Sequence, residues 1–151
     1  MSEIRFYHLT RKSLEEALPE LLEKTLERGW RAVVMAGSQE RVEALAQHLW
    51  TYRPDSFLPH GSAKDGHAEE QPIWLTSTDE RPNNAALLFL TDGAGSDNIG
   101  DYQRVCEIFN GNDDAAIASA RQNWAKYKAG GHELSYWQQG EEGWKNKSND
   151  A

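Results

Sequence analysis

Cysteine is almost missing from this 151-residue sequence, which is the length of one ordinary domain. The single thiol, Cys106, lies in the apolar context YQRVCEIF, which is typical of a buried and unreactive cysteine. A disulfide framework is therefore excluded. The five histidines show no recognised metal-ligand spacing, and the nearest group is His60 and His67 with Glu69 and Glu70. We expect no metal and no cofactor.

Long hydrophobic runs are also missing. No apolar stretch approaches the roughly 20 residues that a membrane-spanning helix needs. The start, MSEIRFYHLT, has neither the basic region nor the apolar stretch of a secretory signal. The sequence therefore predicts a cytoplasmic protein that makes no membrane contact.

Positive charge is scarce, with 16 Lys and Arg against 24 Asp and Glu and a net charge of −8. Proteins that bind nucleic acid usually carry an excess of cations, so direct binding to nucleic acid is not expected. One stretch, RQNWAKYK, nevertheless combines the cations Arg121, Lys126 and Lys128 with Trp124 and Tyr127. A local patch of this kind can attract an acidic partner to an acidic protein.

Hydrophobic periodicity predicts alternating strands and helices. Residues 4–9 alternate between apolar and polar side chains, which predicts a strand. A helix is predicted after Ser13, which forms a capping box with Glu16, and Gly29 ends this helix. Pro19 indicates either a later start for this helix or a bend within it. A second strand at 31–36 precedes a second helix capped by Ser38.

Two successive strand–helix units imply a parallel sheet. Three more strands are predicted at 72–77, 85–91 and 102–109, and a last helix opens at Asn112 or Asp113 and ends at Gly130 and Gly131. The fold class is therefore α/β, with a single three-layer, Rossmann-like domain over residues 1–137 and a mostly parallel sheet flanked by helices. Residues 138–151 lack periodicity, which predicts a flexible tail.

Catalytic motifs are absent from the sequence as well. It contains neither the phosphate-binding pattern G-x-x-x-x-G-K-[ST] nor the nucleophile pattern G-x-S-x-G. The segment LTDGAGSDNIG, with Asp92, Gly93 and Gly95, only loosely resembles a dinucleotide-binding turn. We therefore expect no catalytic residues. The alternative is a nucleotide-binding or hydrolytic α/β enzyme that uses the glycine-rich loop at 92–96.

A helical wheel of the cationic stretch allows two interpretations. A stripe of mostly small residues faces the core, and Trp124 lies between this stripe and the side that carries Arg121 and Lys128. One interpretation is a pocket for an acidic peptide with an aromatic residue. The other is a core tryptophan whose cationic neighbours are solvated. The wheel alone does not choose between them.

Four motifs together resemble the chi subunit family of bacterial DNA polymerase III. They are IRFYHL at 4–9, LW at 49–50, SFLPH at 56–60 and R..W..YK..G..L at 121–134. The resemblance implies a non-catalytic clamp-loader accessory subunit with a Rossmann-like fold. It would link the polymerase III holoenzyme to single-stranded DNA-binding protein by gripping that protein's acidic C-terminal tail, which ends in Asp residues, Pro and Phe.

The resemblance also implies binding residues. Arg121, Trp124 and Lys128 match the family's positions for binding the tail of single-stranded DNA-binding protein. Two residues depart from the family pattern: Ala125 where a basic residue is frequent, and His132 where an aromatic residue is common.

A second implied surface consists of Trp50, Phe57 and Pro59, which correspond to the family's contact with the psi subunit. Bulky apolar residues in and beside a polar, Pro-rich loop are typical of an interface anchor. The alternative is that Trp50 and Phe57 fold under onto the domain.

Overall fold

The computed structural model describes residues 2–51, 59–140 and 143–147. Within these ranges three helices and seven strands follow one another along the chain. The strands are β1 (Glu3–Leu9), β2 (Ala32–Met35), β3 (Ile73–Thr76), β4 (Leu87–Leu90), β5 (Arg104–Asn110), β6 (Glu133–Gly140) and β7 (Gly143–Asn146). The helices are α1 (Leu14–Glu27), α2 (Gln39–Thr51) and α3 (Asp114–Ala129).

The seven strands form one sheet in the order β3-β2-β4-β5-β1-β6-β7. Every neighbouring pair is parallel except β6 and β7, which pair antiparallel. The mostly parallel sheet predicted from the alternation of strands and helices is therefore confirmed. β1 and β5 lie in the interior of the sheet, so the side chains of both strands are enclosed between two layers.

Two hydrophobic cores separate the three layers. On one face α1 and α2 cover the sheet, with Leu18, Leu22 and Leu45 almost fully buried. On the other face α3 packs through Ala120 and Tyr127. Side chains of a strand alternate between faces, which is why neighbours along one strand belong to different cores. The three-layer α/β arrangement is thus confirmed.

α1 keeps its helical course through Pro19. The helix begins at Leu14 with the predicted capping box between Ser13 and Glu16. Pro19 has no N–H to donate, so it removes the helical hydrogen bond to the carbonyl of Glu15. Nε2 of His48, on α2, donates to that carbonyl over 2.6 Å. The neighbouring helix therefore supplies the hydrogen bond that proline removes.

α3 is fixed at its start by Asp113, whose side chain accepts hydrogen bonds from the N–H groups of Ala115 and Ala116. These are two of the N–H groups that have no partner inside a helix. The helix ends before Gly130, and Gly131 follows with a φ of 82°. Glycine adopts this left-handed conformation readily, so the chain turns there and enters β6.

β6 and β7 occupy the part of the chain that includes the predicted tail. β6 continues to Gly140, and β7 returns beside it with Gln139 opposite Trp144. The Trp144 ring packs edge-on against Tyr7 at 4.8 Å. Trp144 is the apolar residue of β7, so this short edge strand shows no hydrophobic periodicity in the sequence, and its pairing with β6 and the contact of Trp144 with Tyr7 hold it in place.

Candidate functional site

A groove of about 540 Å³ lies between α3 and the sheet. Its base is aromatic. Phe6 of β1 contacts Trp124 of α3 with ring centroids 5.3 Å apart, and Tyr136 of β6 lies 6.4 Å from Trp124. Phe109 of β5 closes the base at 6.2 Å from Tyr136. Tilted and edge-on pairs at these distances are favourable contacts, so the groove presents a firm aromatic floor.

α3 orients Trp124 toward this floor because its inner stripe packs on the sheet. Ala120 and Tyr127 are buried, and Asn123 is partly buried, as the helical wheel predicts. Trp124 is partly buried and follows directly after the stripe, so one face of the indole packs on Phe6 while the ring still lines the groove. Trp124 therefore has one feature of a core tryptophan, its packing on Phe6, and one feature of a pocket residue, its place in the groove lining.

His8 also lines the groove. Its Nδ1 is hydrogen-bonded to the hydroxyl of Tyr136, and its ring lies 5.1 Å from that of Phe109. Burial lowers the pKa of His8, and a backbone hydrogen bond with Gly111 acts in the opposite direction. The lowered pKa favours a neutral imidazole at pH 7. His8 thus contributes a polar, uncharged wall.

Among the described residues, the charged side chains that line the groove are Arg121 of α3 and Lys147, which directly follows β7, and none of these lining residues is a carboxylate. Burial raises the pKa of Tyr136, while the nearby Arg121 lowers it. Lys128 is exposed and lies outside the lining. Of the three predicted tail-binding residues, the structure brings Arg121 and Trp124 together in this groove.

Comparison with known proteins identifies the family of the chain. The sequence model of the DNA polymerase III chi subunit, HolC, matches residues 1–135. The chain belongs to the DNA polymerase III chi subunit family. A probable DNA polymerase III subunit chi from Rickettsia prowazekii (strain Madrid E) is 32% identical over 90 residues, which are 60% of this chain and 54% of that protein. The chain thus spans about half the length of the curated relative it matches.

The second surface implied by the chi resemblance is partly described. Trp50, near the end of α2, is 51% exposed and is the large hydrophobic side chain that stands out as exposed among the described residues. Its ring lies 4.7 Å from that of His60, which is buried and hydrogen-bonded to the carbonyl of Ala46. Pro59 is partly buried beside His60. Phe57 lies outside the described residues.

The glycine-rich loop at 92–96, which the alternative function would use, is held by contacts with neighbouring residues. Asp92 is held by Arg41 of α2, with Nε and Oδ2 3.0 Å apart. Asp92 and Gly93 both have a positive φ, which turns the chain sharply after β4. Ser96 donates a hydrogen bond of 2.6 Å to Asp79. These contacts hold the loop on both sides, and the positive φ of Asp92 and Gly93 is typical of a tight turn.

Other expected features can be located in the described part of the chain. Cys106 is buried, and burial raises the pKa of its thiol to about 12, which makes it unreactive. Across residues 2–51, 59–140 and 143–147, no three His, Cys, Asp or Glu side chains meet in a metal-binding group. None of the described helices has the length and apolar character to cross a membrane.

A buried carboxyl group lies beside the groove. Glu107 of β5 is 7% exposed, stands opposite Phe6 in the sheet and accepts a 2.9 Å hydrogen bond from Nδ2 of Asn123. Burial raises its pKa to about 7, and the hydrogen bond from Asn123 only partly offsets this effect.

Sequence reasoning missed several residues of this site. The alternation of β1 places Phe6 and His8 on one face, which could have identified them as candidates. Tyr136 and Lys147 gave no local signal, because their position depends on the pairing of β6 and β7. Their contribution is decided by tertiary structure.

Proposed function

We propose that this chain is a non-catalytic accessory subunit of the replicative DNA polymerase III, and that it links the clamp loader to single-stranded DNA-binding protein. The link is the acidic C-terminal tail of that protein, bound in the groove between α3 and the sheet. One observation carries the proposal: in a chain with a net charge of −8, the charged side chains found in the aromatic groove among the described residues, Arg121 and Lys147, are positive. Family membership supports the same role.

The groove has separate parts for the two features of such a tail. Arg121 supplies charge-assisted hydrogen bonds to carboxylates. Trp124, Phe6 and Phe109 supply apolar area for the terminal phenylalanine ring. Lys128 lies two turns along α3 from Arg121, outside the lining, and adds attraction that salt screens. Ala125 and His132, which depart from the family pattern, are not among the residues that line the groove.

Calorimetric titration with a synthetic acidic peptide ending in Asp residues, Pro and Phe tests this proposal. We expect micromolar binding, on the order of −8 kcal/mol. Arg121→Ala should cost about 1.5 to 3 kcal/mol, which is roughly ten- to a hundredfold in affinity. Trp124→Ala should lower affinity at every salt concentration, because the indole contributes apolar contact rather than charge.

Two controls make the titration decisive. Lys126→Ala removes one positive charge from an exposed position on the same helix and should change affinity by less than about twofold. A peptide without its last Phe should bind more weakly than the complete peptide. Equal binding of the two peptides, or unchanged binding by Arg121→Ala, contradicts the proposed role of the groove.

A separate thermal-shift assay tests the alternative functions. ATP, GTP and NAD are added in a thermal-shift assay, together with a single-stranded oligonucleotide. We expect stabilisation by the tail peptide and by none of the others. Stabilisation by nucleotides alone supports an enzyme that uses the 92–96 loop, and stabilisation by the oligonucleotide supports direct binding of nucleic acid.

We further propose that Trp50, Phe57 and Pro59 form the surface that contacts the psi subunit or the clamp loader. The observation in favour is the exposure of Trp50 at the end of α2. Replacing Trp50 and Phe57 by polar residues should abolish co-purification with clamp-loader proteins, since interface anchors commonly cost about 2 kcal/mol or more. Loss of cooperative melting in this variant would show instead that these residues stabilise the fold.

A further inference from the structure

The position of Lys147 follows from the pairing of β7 with β6. Lys145 stands opposite Gln138, and the N–H of Lys147 donates to the carbonyl of Tyr136 over 2.6 Å. Opposed residues in a sheet point to the same face, and residues two apart on a strand share a face. Lys145 and Lys147 therefore lie on the face that carries Gln138 and Tyr136, both of which line the groove.

Trp144 holds this strand in place from the opposite face. It stands opposite Gln139, one residue out of step with Gln138, so its ring is directed to the other side of the sheet. There it packs edge-on against Tyr7 with ring centroids 4.8 Å apart. A single apolar anchor thus fixes the register in which Lys147 reaches the groove.

The groove then has one cation on each of two elements. Arg121 stands on α3, and Lys147 directly follows β7. Tyr136 and the uncharged Gln138 also line the groove. Two cations on different elements hold an extended acidic peptide at two points, which fixes its direction as well as its position.

We propose that Lys147 is the second cation of the tail-binding groove and pairs with a carboxylate of the acidic peptide while Arg121 binds another. This inference rests on the proposed function and assigns the cation to a residue beyond the 1–135 stretch that matches the family model. Lys145 lies one pleat away on the same face and contributes weaker attraction.

A charge-matched set of variants tests the assignment. Lys147→Met keeps most of the apolar stem and removes the charge, so an effect on binding reports the charge itself. We expect affinity for the acidic peptide to fall about three- to tenfold, as for a partly exposed ion pair. Lys126→Ala makes the same change of net charge outside the groove and should cost less than about twofold.

Pairing is identified by a double-mutant cycle. Each Asp of the peptide is replaced in turn by Asn, and each peptide is titrated into wild-type protein and Lys147→Met. One Asp→Asn peptide should lose affinity with the wild type but bind Lys147→Met no worse than the parent peptide does, because the partner is already missing. Melting curves confirm that each variant is folded.

The outcomes separate this inference from the function on which it rests. If the wild type binds the peptide and Lys147→Met binds as Lys126→Ala does, the assignment of Lys147 is overturned and the proposed function stands. Additive effects of Lys147→Met with every Asp→Asn peptide overturn it also. Absence of peptide binding by the wild type refutes the proposed function and this inference with it.

Discussion

Replacing Glu107 by Gln probes the electrostatics of the core beneath the groove. Glu107 lies in the middle of β5, is 7% exposed and accepts one hydrogen bond from Asn123. Burial raises its pKa to about 7, from an ordinary value of 4.5. Gln has nearly the same shape and keeps an oxygen that accepts the hydrogen bond from Asn123, so the variant removes ionisation while preserving the packing.

The magnitude follows from the difference between the two pKa values. In the unfolded chain Glu107 loses its proton near pH 4.5, whereas the folded protein keeps it until about pH 7. Between these values the unfolded state binds fewer protons, so the free energy of unfolding falls by about 1.4 kcal/mol per pH unit. The contribution is fully present below pH 4.5, and about 3 kcal/mol is lost as the pH rises through 7.

Urea unfolding of wild type and Glu107→Gln between pH 4.5 and 8 measures this effect. The other titrating groups cancel in the difference between the two proteins, which isolates Glu107. We expect the variant to gain stability relative to wild type as the pH rises. Glu27→Gln makes the same chemical change at an exposed position and should alter stability by less than about 0.5 kcal/mol at every pH.

The reasoning is refuted if the difference between wild type and Glu107→Gln is the same at pH 4.5 and pH 8. It is also refuted if the difference has the opposite sign, because the carboxylate would then be stabilised in the folded state. In either case the environment of Glu107 would be polar rather than desolvated.

Three further predictions follow from single contacts. Cys106, with its pKa raised to about 12 by burial, should react with a thiol reagent only as fast as the protein opens; labelling as fast in buffer as in denaturant would contradict this. Gly111→Ala should lower the free energy of unfolding by about 1 to 3 kcal/mol, measured by thermal melting, because the added Cβ would overlap the His8 ring and lie 2.6 Å from the carbonyl oxygen of Leu9. Gly100→Ala is the control, because a Cβ there meets no atom within 4 Å. Asp113→Ala should cost about 1 kcal/mol of stability through loss of the α3 cap, and tail-peptide binding should persist at temperatures where the variant is folded.

The sequence by itself determined the parts of the fold that depend on local pattern. The capping box of Ser13 and Glu16 set the start of α1, and the apolar run at 31–36 marked a strand buried on both faces. Periods of 2 and 3.6 residues appear in the sequence because one side of each element faces a core. The inner stripe of α3 followed from the same rule.

Tertiary structure alone decided which side chains meet. Pro19 is tolerated in α1 because His48, 29 positions later, donates to the carbonyl that the proline leaves without a partner. Lys147 reaches the groove because β7 pairs with β6, and no local pattern records that pairing. Contacts between residues far apart in the chain depend on strand order and register. Hydrophobic periodicity shows which face of a helix or strand is buried, but it does not show which element packs against that face.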